Sequence, residues 1–101
     1  MKDRRRILSV ISKNKSLTPF QKKVYKVIFG IPTGEVRSYK WVACKLGRAS
    51  AARAVGNALN KNPYAPLVPC HRIIKSDGTI GGYAKGVKAK RKILKWEGIE
   101  L

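Results

Sequence analysis

The stretch SYKWVACKLGRASAARAVGNALN, residues 38–60, decides the fold. Ser38 offers a side-chain oxygen to the free N–H groups of a helix start, and Tyr39 to Leu46 follows as a short helix closed by Gly47. Ser50 is placed to cap the next helix, Ala51 to about Asn60. Only a few residues, one of them glycine, separate the two, which is the spacing of a helix-turn-helix. Asn62-Pro63 stops the second helix, because a residue before proline avoids helical backbone angles.

Upstream, Thr18-Pro19-Phe20-Gln21 reads as a capping box with proline at the first helical position. Phe20, Val24, Val27 and Ile28 then form one apolar stripe at helical spacing, ended by Gly30. Pro32-Thr33-Gly34 makes a turn into a short extended piece, Glu35-Val36-Arg37. Residues 1–17 are basic and weakly apolar, a mobile arm or a short packed strand, and a solvated tail fits them equally. Downstream, Tyr64 to Pro69 is a loop punctuated by Pro66 and Pro69. Ile73-Ile74 and Thr79-Ile80 flank Ser76-Asp77-Gly78, whose Asp-Gly pair signals a hairpin resembling a wing. Gly81-Gly82-Tyr83 and Gly86 make a flexible loop, Val87 to Trp96 a basic helix, and Gly98 lies just past its end. The expected fold is mainly α: a small winged helix-turn-helix-like domain with a short β-hairpin. At 101 residues there is room for one modest core.

Lys and Arg number 23 against 5 acidic residues, a formal net charge of +18. So much like charge repels itself in a compact state, and nucleic acid is the polyanion that best offsets it. A solvated surface or anionic lipid are the competing readings of the charge alone. No apolar run approaches the about 18 residues of a membrane span, and no signal-peptide pattern is visible. A reducing, intracellular location is therefore expected, cytoplasmic and nucleoid-associated if the source is prokaryotic, with Cys44 and Cys70 as free thiols. One histidine and two cysteines make a poor metal site, and no metal or other cofactor is expected.

Pro69-Cys70-His71-Arg72-Ile73 places a thiol beside an imidazole. Sulfur reacts as thiolate, and imidazole is a base suited to making one. Taken alone the pair is a weak signal, since buried cysteine usually behaves as a small hydrophobe. Glu97 could orient His71 by accepting its second N–H, with Glu100 and Asp77 as the other nearby acids. Cys44, flanked by Val42, Ala43 and Leu46, reads as core packing.

Pro69-Cys70-His71-Arg72-Ile73-Ile74 resembles the active-site motif of the O6-alkylguanine-DNA alkyltransferases, the methylated-DNA–protein-cysteine methyltransferases. Thr33-Gly34-Glu35-Val36 and Ser38-Tyr39 resemble that family's segment leading into its helix-turn-helix. Ala52-Arg53-Ala54-Val55-Gly56, then Asn62-Pro63, resembles its recognition helix and closing asparagine. Gly81-Gly82-Tyr83 resembles the lid over its base pocket. The resemblance runs from about Thr18 to Leu101 in the family's order, which assigns 1–17 to a basic N-terminal arm and 18–101 to a catalytic and DNA-binding domain.

The resemblance implies suicidal transfer of an alkyl group from O6-alkylguanine in duplex DNA to Cys70, with the base flipped out of the stack. It makes His71 the base, acting through a water, and Glu97 its orienter. Tyr39 serves guanine N3, Arg53 fills the vacated stack, and Asn62 ties the helix-turn-helix to the active-site loop. Tyr83 walls the alkyl pocket, and backbone around Val68 and Cys70 reads the base edge. Arg72, Ala84, Lys85, Ala51, Ala52 and Gly56 complete the implied substrate and DNA contacts, with Ala84-Lys85 departing from the residues relatives often carry there. Arg48, Lys61, Lys75, Lys85 and Lys88 are candidate phosphate contacts. The helix is implied to enter the minor groove, its alanines keeping it narrow. A monomer is expected. Typical members carry an N-terminal domain as well, so the catalytic half is expected to stand alone. Two alternatives remain open at this point: an alkyltransferase-like damage sensor that binds without transfer, and a plain winged-helix regulator. Cys70 opposes the first, whose members characteristically carry tryptophan there.

Overall fold

The computed structural model describes the backbone of residues 2–65, 67–83 and 85–101 and the side chains of those residues from Arg5 onward. Pro66 and Ala84, both used in the sequence reading, lie outside the described residues. Five helices follow in order: α1 (Lys2–Lys13), α2 (Pro19–Phe29), α3 (Tyr39–Lys45), α4 (Ala52–Asn60) and α5 (Val87–Trp96). Two short strands, β1 (Arg37–Ser38) and β2 (Ile73–Ile74), pair in parallel with Arg37 opposite Ile73 and Ser38 opposite Ile74. The fold is thus mainly helical, as expected from the pattern, with a short two-stranded sheet. Among the described residues no helix is long and apolar enough to cross a membrane.

Two of the three caps stand where the sequence places them. Thr18 accepts the Gln21 N–H at 3.1 Å while the Gln21 side chain accepts the Thr18 N–H at 2.9 Å. Ser38 accepts the Trp41 N–H at 2.9 Å and starts α3. Each such cap contributes about 1 kcal/mol by satisfying a helix-end donor. Val24, Tyr25 and Ile28 of α2 pack with Val42 and Ala43 of α3 and Val55, Ala58 and Leu59 of α4. Val68, Cys70 and Ile73 join the same core, so the loop bearing the thiol is embedded in it.

Four expectations are corrected. Residues 2–13 form a helix rather than a mobile arm or strand, because Ile7 and Ile11 lie one turn apart and Ile11 is fully buried in the core. Ser50 does not cap α4; a 3-10 turn, Ala49–Ala51, precedes Ala52, with no side-chain cap at its start. The hairpin is not a two-stranded ribbon. The Asp77-Gly78 turn forms, with Lys75 N–H donating to Thr79 C=O at 3.0 Å, but β2 finds its strand partner in β1. Cys44 is exposed rather than in the core, because Val42 and Ala43 occupy the inward face of α3.

Candidate active site and nucleic-acid groove

Cys70 begins a 3-10 turn, Cys70–Arg72, whose first residue is buried at 3% exposure and whose His71 is buried at 2%. The turn delivers three consecutive side chains to three surroundings, and β2 anchors its end. Cys70 N–H donates to Val68 C=O at 2.8 Å. Asn62 Nδ2 donates to the same carbonyl at 2.9 Å, and Asn62 Oδ1 accepts the Tyr64 N–H at 2.9 Å. Asn62 therefore joins the end of α4 to the thiol loop, and Val68 C=O is already engaged twice.

His71 Nε2 lies 2.9 Å from Glu97 Oε2. Arg72 grips the same carboxylate, Nε donating to Oε1 at 2.9 Å and Nη2 to Oε2 at 2.8 Å. Its remaining donors go to Ile31 C=O at 2.8 Å and Thr33 Oγ1 at 2.9 Å. Gly34, at φ +87°, turns the 32–35 segment back beneath Glu97; a Cβ there would stand 3.6 Å from the Glu97 carbonyl. Arg72 thus faces inward and structural partners, not the substrate or DNA side assigned to it from sequence, since all its donor-bearing nitrogens are occupied.

The protonation logic follows from these contacts. Hydrogen bonds from Arg72 hold the Glu97 carboxyl down at about 2, so near neutrality it is an acceptor only. His71 must then donate from Nε2, leaving the Nδ1 lone pair free. Burial pushes the imidazole below its usual range despite Glu97, which keeps it neutral and able to accept a proton. Among the described residues Nδ1 is buried without a hydrogen-bond partner. The Tyr83 hydroxyl is buried too, beside Cys70, and its ring stands edge-on to His71 at 6.5 Å. Burial pushes the Cys70 thiol up, countered by Asn62 and by the charges of Lys90 and Lys85. A raised thiol beside a neutral imidazole with a free lone pair is a nucleophile that needs its base.

Lys90 is the residue that the sequence reading missed. It is fully buried, and its Nζ donates to Ile73 C=O at 2.5 Å, Ile80 C=O at 2.5 Å and Gly82 C=O at 3.1 Å. Three ammonium protons thereby pin the 80–82 loop to β2, while burial brings the amine down to about 8. Its signal was in the pattern: Lys90 lies four residues before Leu94, on the inward face of α5.

Tyr39 sits half-buried at the start of α3, its ring facing Gly56 of α4 and Gly81 of the loop. A Cβ on Gly81 would come 3.1 Å from the Tyr39 hydroxyl, and its φ of +71° suits glycine, so the approach requires that residue. Burial raises the phenol, keeping it a donor. Tyr39, Ala52, Arg53, Gly56, Asn57 and Lys75 line an open groove of about 620 Å3 between α4 and the 75–78 turn. Arg53 is exposed there and makes no hydrogen bond or ion pair among the described residues. Ala51 is half-buried in the turn before α4, and Arg48, Lys61, Lys75, Lys85 and Lys88 are all exposed. The structure therefore gathers Asn62, Val68, Glu97 and Tyr83 around the Cys70–Arg72 turn and sets Tyr39, Ala52, Arg53 and Gly56 along the groove. Among the described residues no cluster of three or more metal-ligating side chains occurs.

The family model described as "6-O-methylguanine DNA methyltransferase, DNA binding domain" matches residues 19–99. A methylated-DNA–protein-cysteine methyltransferase of Methanosarcina barkeri is 51% identical over 80 residues, 79% of this chain and 51% of that protein. The crystal structure of Mycobacterium tuberculosis OGT in complex with DNA superposes with a TM-score of 0.79 at 46% identity, covering 81% of this chain and 50% of that one. An S. pombe protein solved in complex with damaged DNA containing O6-carboxymethylguanine gives 0.73 at 37% identity, covering 80% and 77%. The chain spans about half the length of the curated relatives it matches.

Proposed function

The chain belongs to the 6-O-methylguanine DNA methyltransferase family, and we propose that it repairs duplex DNA by moving an alkyl group from guanine O6 onto Cys70. His71 Nδ1, through a bridging water, takes the thiol proton. Cys70 Sγ attacks the alkyl carbon, the S–C bond forms as the C–O bond breaks, and the electron pair leaves on guanine. Tyr39 donates a hydrogen bond to the departing base, and the proton that His71 took from the thiol, passed on through water, neutralises it. The thioether product cannot be hydrolysed, so each molecule reacts once. Arg53 occupies the space left by the flipped base, where a planar guanidinium stacks as lysine cannot. Tyr83 and the 80–82 segment before it wall the alkyl group, and exposed lysines hold phosphates. Residues 18–101 carry both the chemistry and the DNA contacts. The chain acts as a monomer, inside the cell, with its DNA substrate.

The observation that carries this reading is the free, buried Nδ1 of a His71 whose tautomer Glu97 and Arg72 dictate, one residue from a buried thiol. A damage sensor that binds without transfer has no use for that arrangement. Intact-mass spectrometry after incubation with duplex DNA bearing O6-methylguanine is the test. One methyl, located on Cys70, is expected, with loss of the adduct but retention of DNA affinity in Cys70→Ser. Tight binding of the damaged duplex with no adduct under reducing conditions would establish the sensor instead.

A further inference from the structure

Helix α1 lies outside the family match of residues 19–99, yet its C-terminal end touches the loop that carries Cys70. Asn14 Nδ2 donates to the Tyr64 hydroxyl at 2.8 Å, across fifty residues of sequence. The amide has one orientation open to it. Its Oδ1 accepts the Ser16 N–H at 2.9 Å, its own N–H donates to Ile11 C=O and its C=O accepts the Leu17 N–H. Ile11, fully buried, fixes that end of α1 in the core.

Tyr64 is equally constrained on its other sides. The ring stands edge-on to Tyr25 at 6.2 Å, and the Tyr25 hydroxyl donates to Ala58 C=O of α4 at 2.7 Å. Tyr64 N–H donates to Asn62 Oδ1, and Tyr64 C=O accepts the Val68 N–H at 3.0 Å. Val68 C=O in turn receives Asn62 Nδ2 and the Cys70 N–H. The backbone of one tyrosine is thus the middle of the nested bonds that set the thiol, and its hydroxyl is reached by Asn14 at the end of α1. A thiol buried at 3% exposure meets an alkyl carbon in line only if its loop is held, and a shift of about 1 Å is costly to such a reaction.

We infer that Asn14 is a positioning residue for Cys70, holding the thiol loop through Tyr64, an inference that rests on Cys70 being the alkyl acceptor. Its loss loosens the loop, making the thiol more open to reagents from bulk solvent and less often aligned for transfer.

The test uses the full chain in a Cys44→Ser background, so that Cys70 is the one thiol. Two rates are followed well below the melting temperature: transfer from free O6-benzylguanine, and labelling by iodoacetamide across pH. Asn14→Ala and Tyr64→Phe are each expected to slow transfer about fivefold, the weight of one hydrogen bond, while speeding labelling. The double variant should be no slower than either single, because both remove the same contact. Asn14→Asp, whose carboxylate accepts both the Tyr64 hydroxyl and the Ser16 N–H, should restore both rates. Rates within twofold of the parent in both single variants, or fully additive losses, would overturn the inference. A parent chain that labels but never accepts benzyl refutes the alkyl-acceptor reading, and its labelling profile still decides whether Asn14 holds the thiol.

Discussion

The surroundings of Cys70 and the outer face of α4 treat arginine in opposite ways. Arg72 spends every donor-bearing nitrogen on protein partners, a carboxylate, a carbonyl and a hydroxyl. Arg53, at the edge of the groove, has no such partner among the described residues and stays exposed. The first arrangement fixes a charge so that chemistry finds the imidazole already oriented. The second leaves a charge to be fixed by whatever enters the groove, so its ordering cost falls on binding. The same division separates Lys90, buried on three carbonyls, from the exposed Lys75 and Lys85. Position along the chain does not distinguish these residues; the number of acceptors facing each one does.

The comparison breaks most sharply at Glu97. Glu97→Ala leaves Arg72 half-buried beside an uncharged gap and frees the tautomer of the buried His71, which should cost about 3 kcal/mol of stability. That is a large share of the roughly 5–15 kcal/mol available to a domain. Glu97→Gln keeps the volume and isolates the charge. The carboxyl is held at about 2 in the fold against an ordinary 4.5, so the folded state gains from its ionised form. A depressed acid contributes stability above pH 4.5 and loses it as pH falls toward 2. Urea midpoints of the parent and Glu97→Gln should therefore differ at pH 7 and converge over that acid window. A gap that stays constant down to pH 2 would mean that the carboxylate is not fixed by Arg72.

On the other face the expected effect is smaller and confined to DNA. Arg53→Ala should leave urea stability and reaction with free benzylguanine unchanged, and slow alkyl transfer from duplex about tenfold, or about 1.4 kcal/mol, a part of the base-unstacking cost left uncompensated. Equal losses on the two substrates would place Arg53 in the pocket's machinery and erase the contrast with Arg72.

What could be read from sequence follows the same physical line. Thr18, Pro19, Gln21 and Ser38 act on neighbours within one turn, and their caps formed as the pattern indicates. The Tyr39, Val42, Ala43, Leu46 stripe even holds the information that Cys44 points outward, once face rather than neighbourhood is asked for. Helix α1 was obscured because Arg4, Arg5 and Arg6 suggest a tail, while Ile11 is buried by residues far along the chain. The ribbon failed for a related reason. Two-residue strands carry no periodicity, and β2 pairs with β1 across 36 residues instead of folding back at Asp77-Gly78. Glu97 was one of three candidate orienters, and only the return of α5 to the 3-10 turn singles it out. The inward turn of Arg72 depends on the 31–34 segment passing beneath it, a placement no local motif encodes.

The smallest effect tests whether the two regions are separable at their shared border. Ser38 pairs with Ile74 in the sheet, caps α3 and precedes Tyr39, so it touches both. Ser38→Ala removes the acceptor for Trp41 N–H and should lower stability by about 1 kcal/mol. In a domain of this size that is a fall in Tm of about 4–8 °C. Transfer from free benzylguanine should nonetheless change less than twofold. The Tyr39 ring is set by its close approach to Gly81, by Gly56 and by the Lys90 ammonium 6.0 Å from its centre, none of which needs the cap. Thermal melts and single-turnover rates on the same preparation decide the matter. A rate that falls with Tm would mean that the helix start aims Tyr39, and that pocket and groove are one cooperative unit. A rate that holds while Tm falls would mean that the pocket keeps its geometry through its own contacts, whatever happens to the helix that borders it.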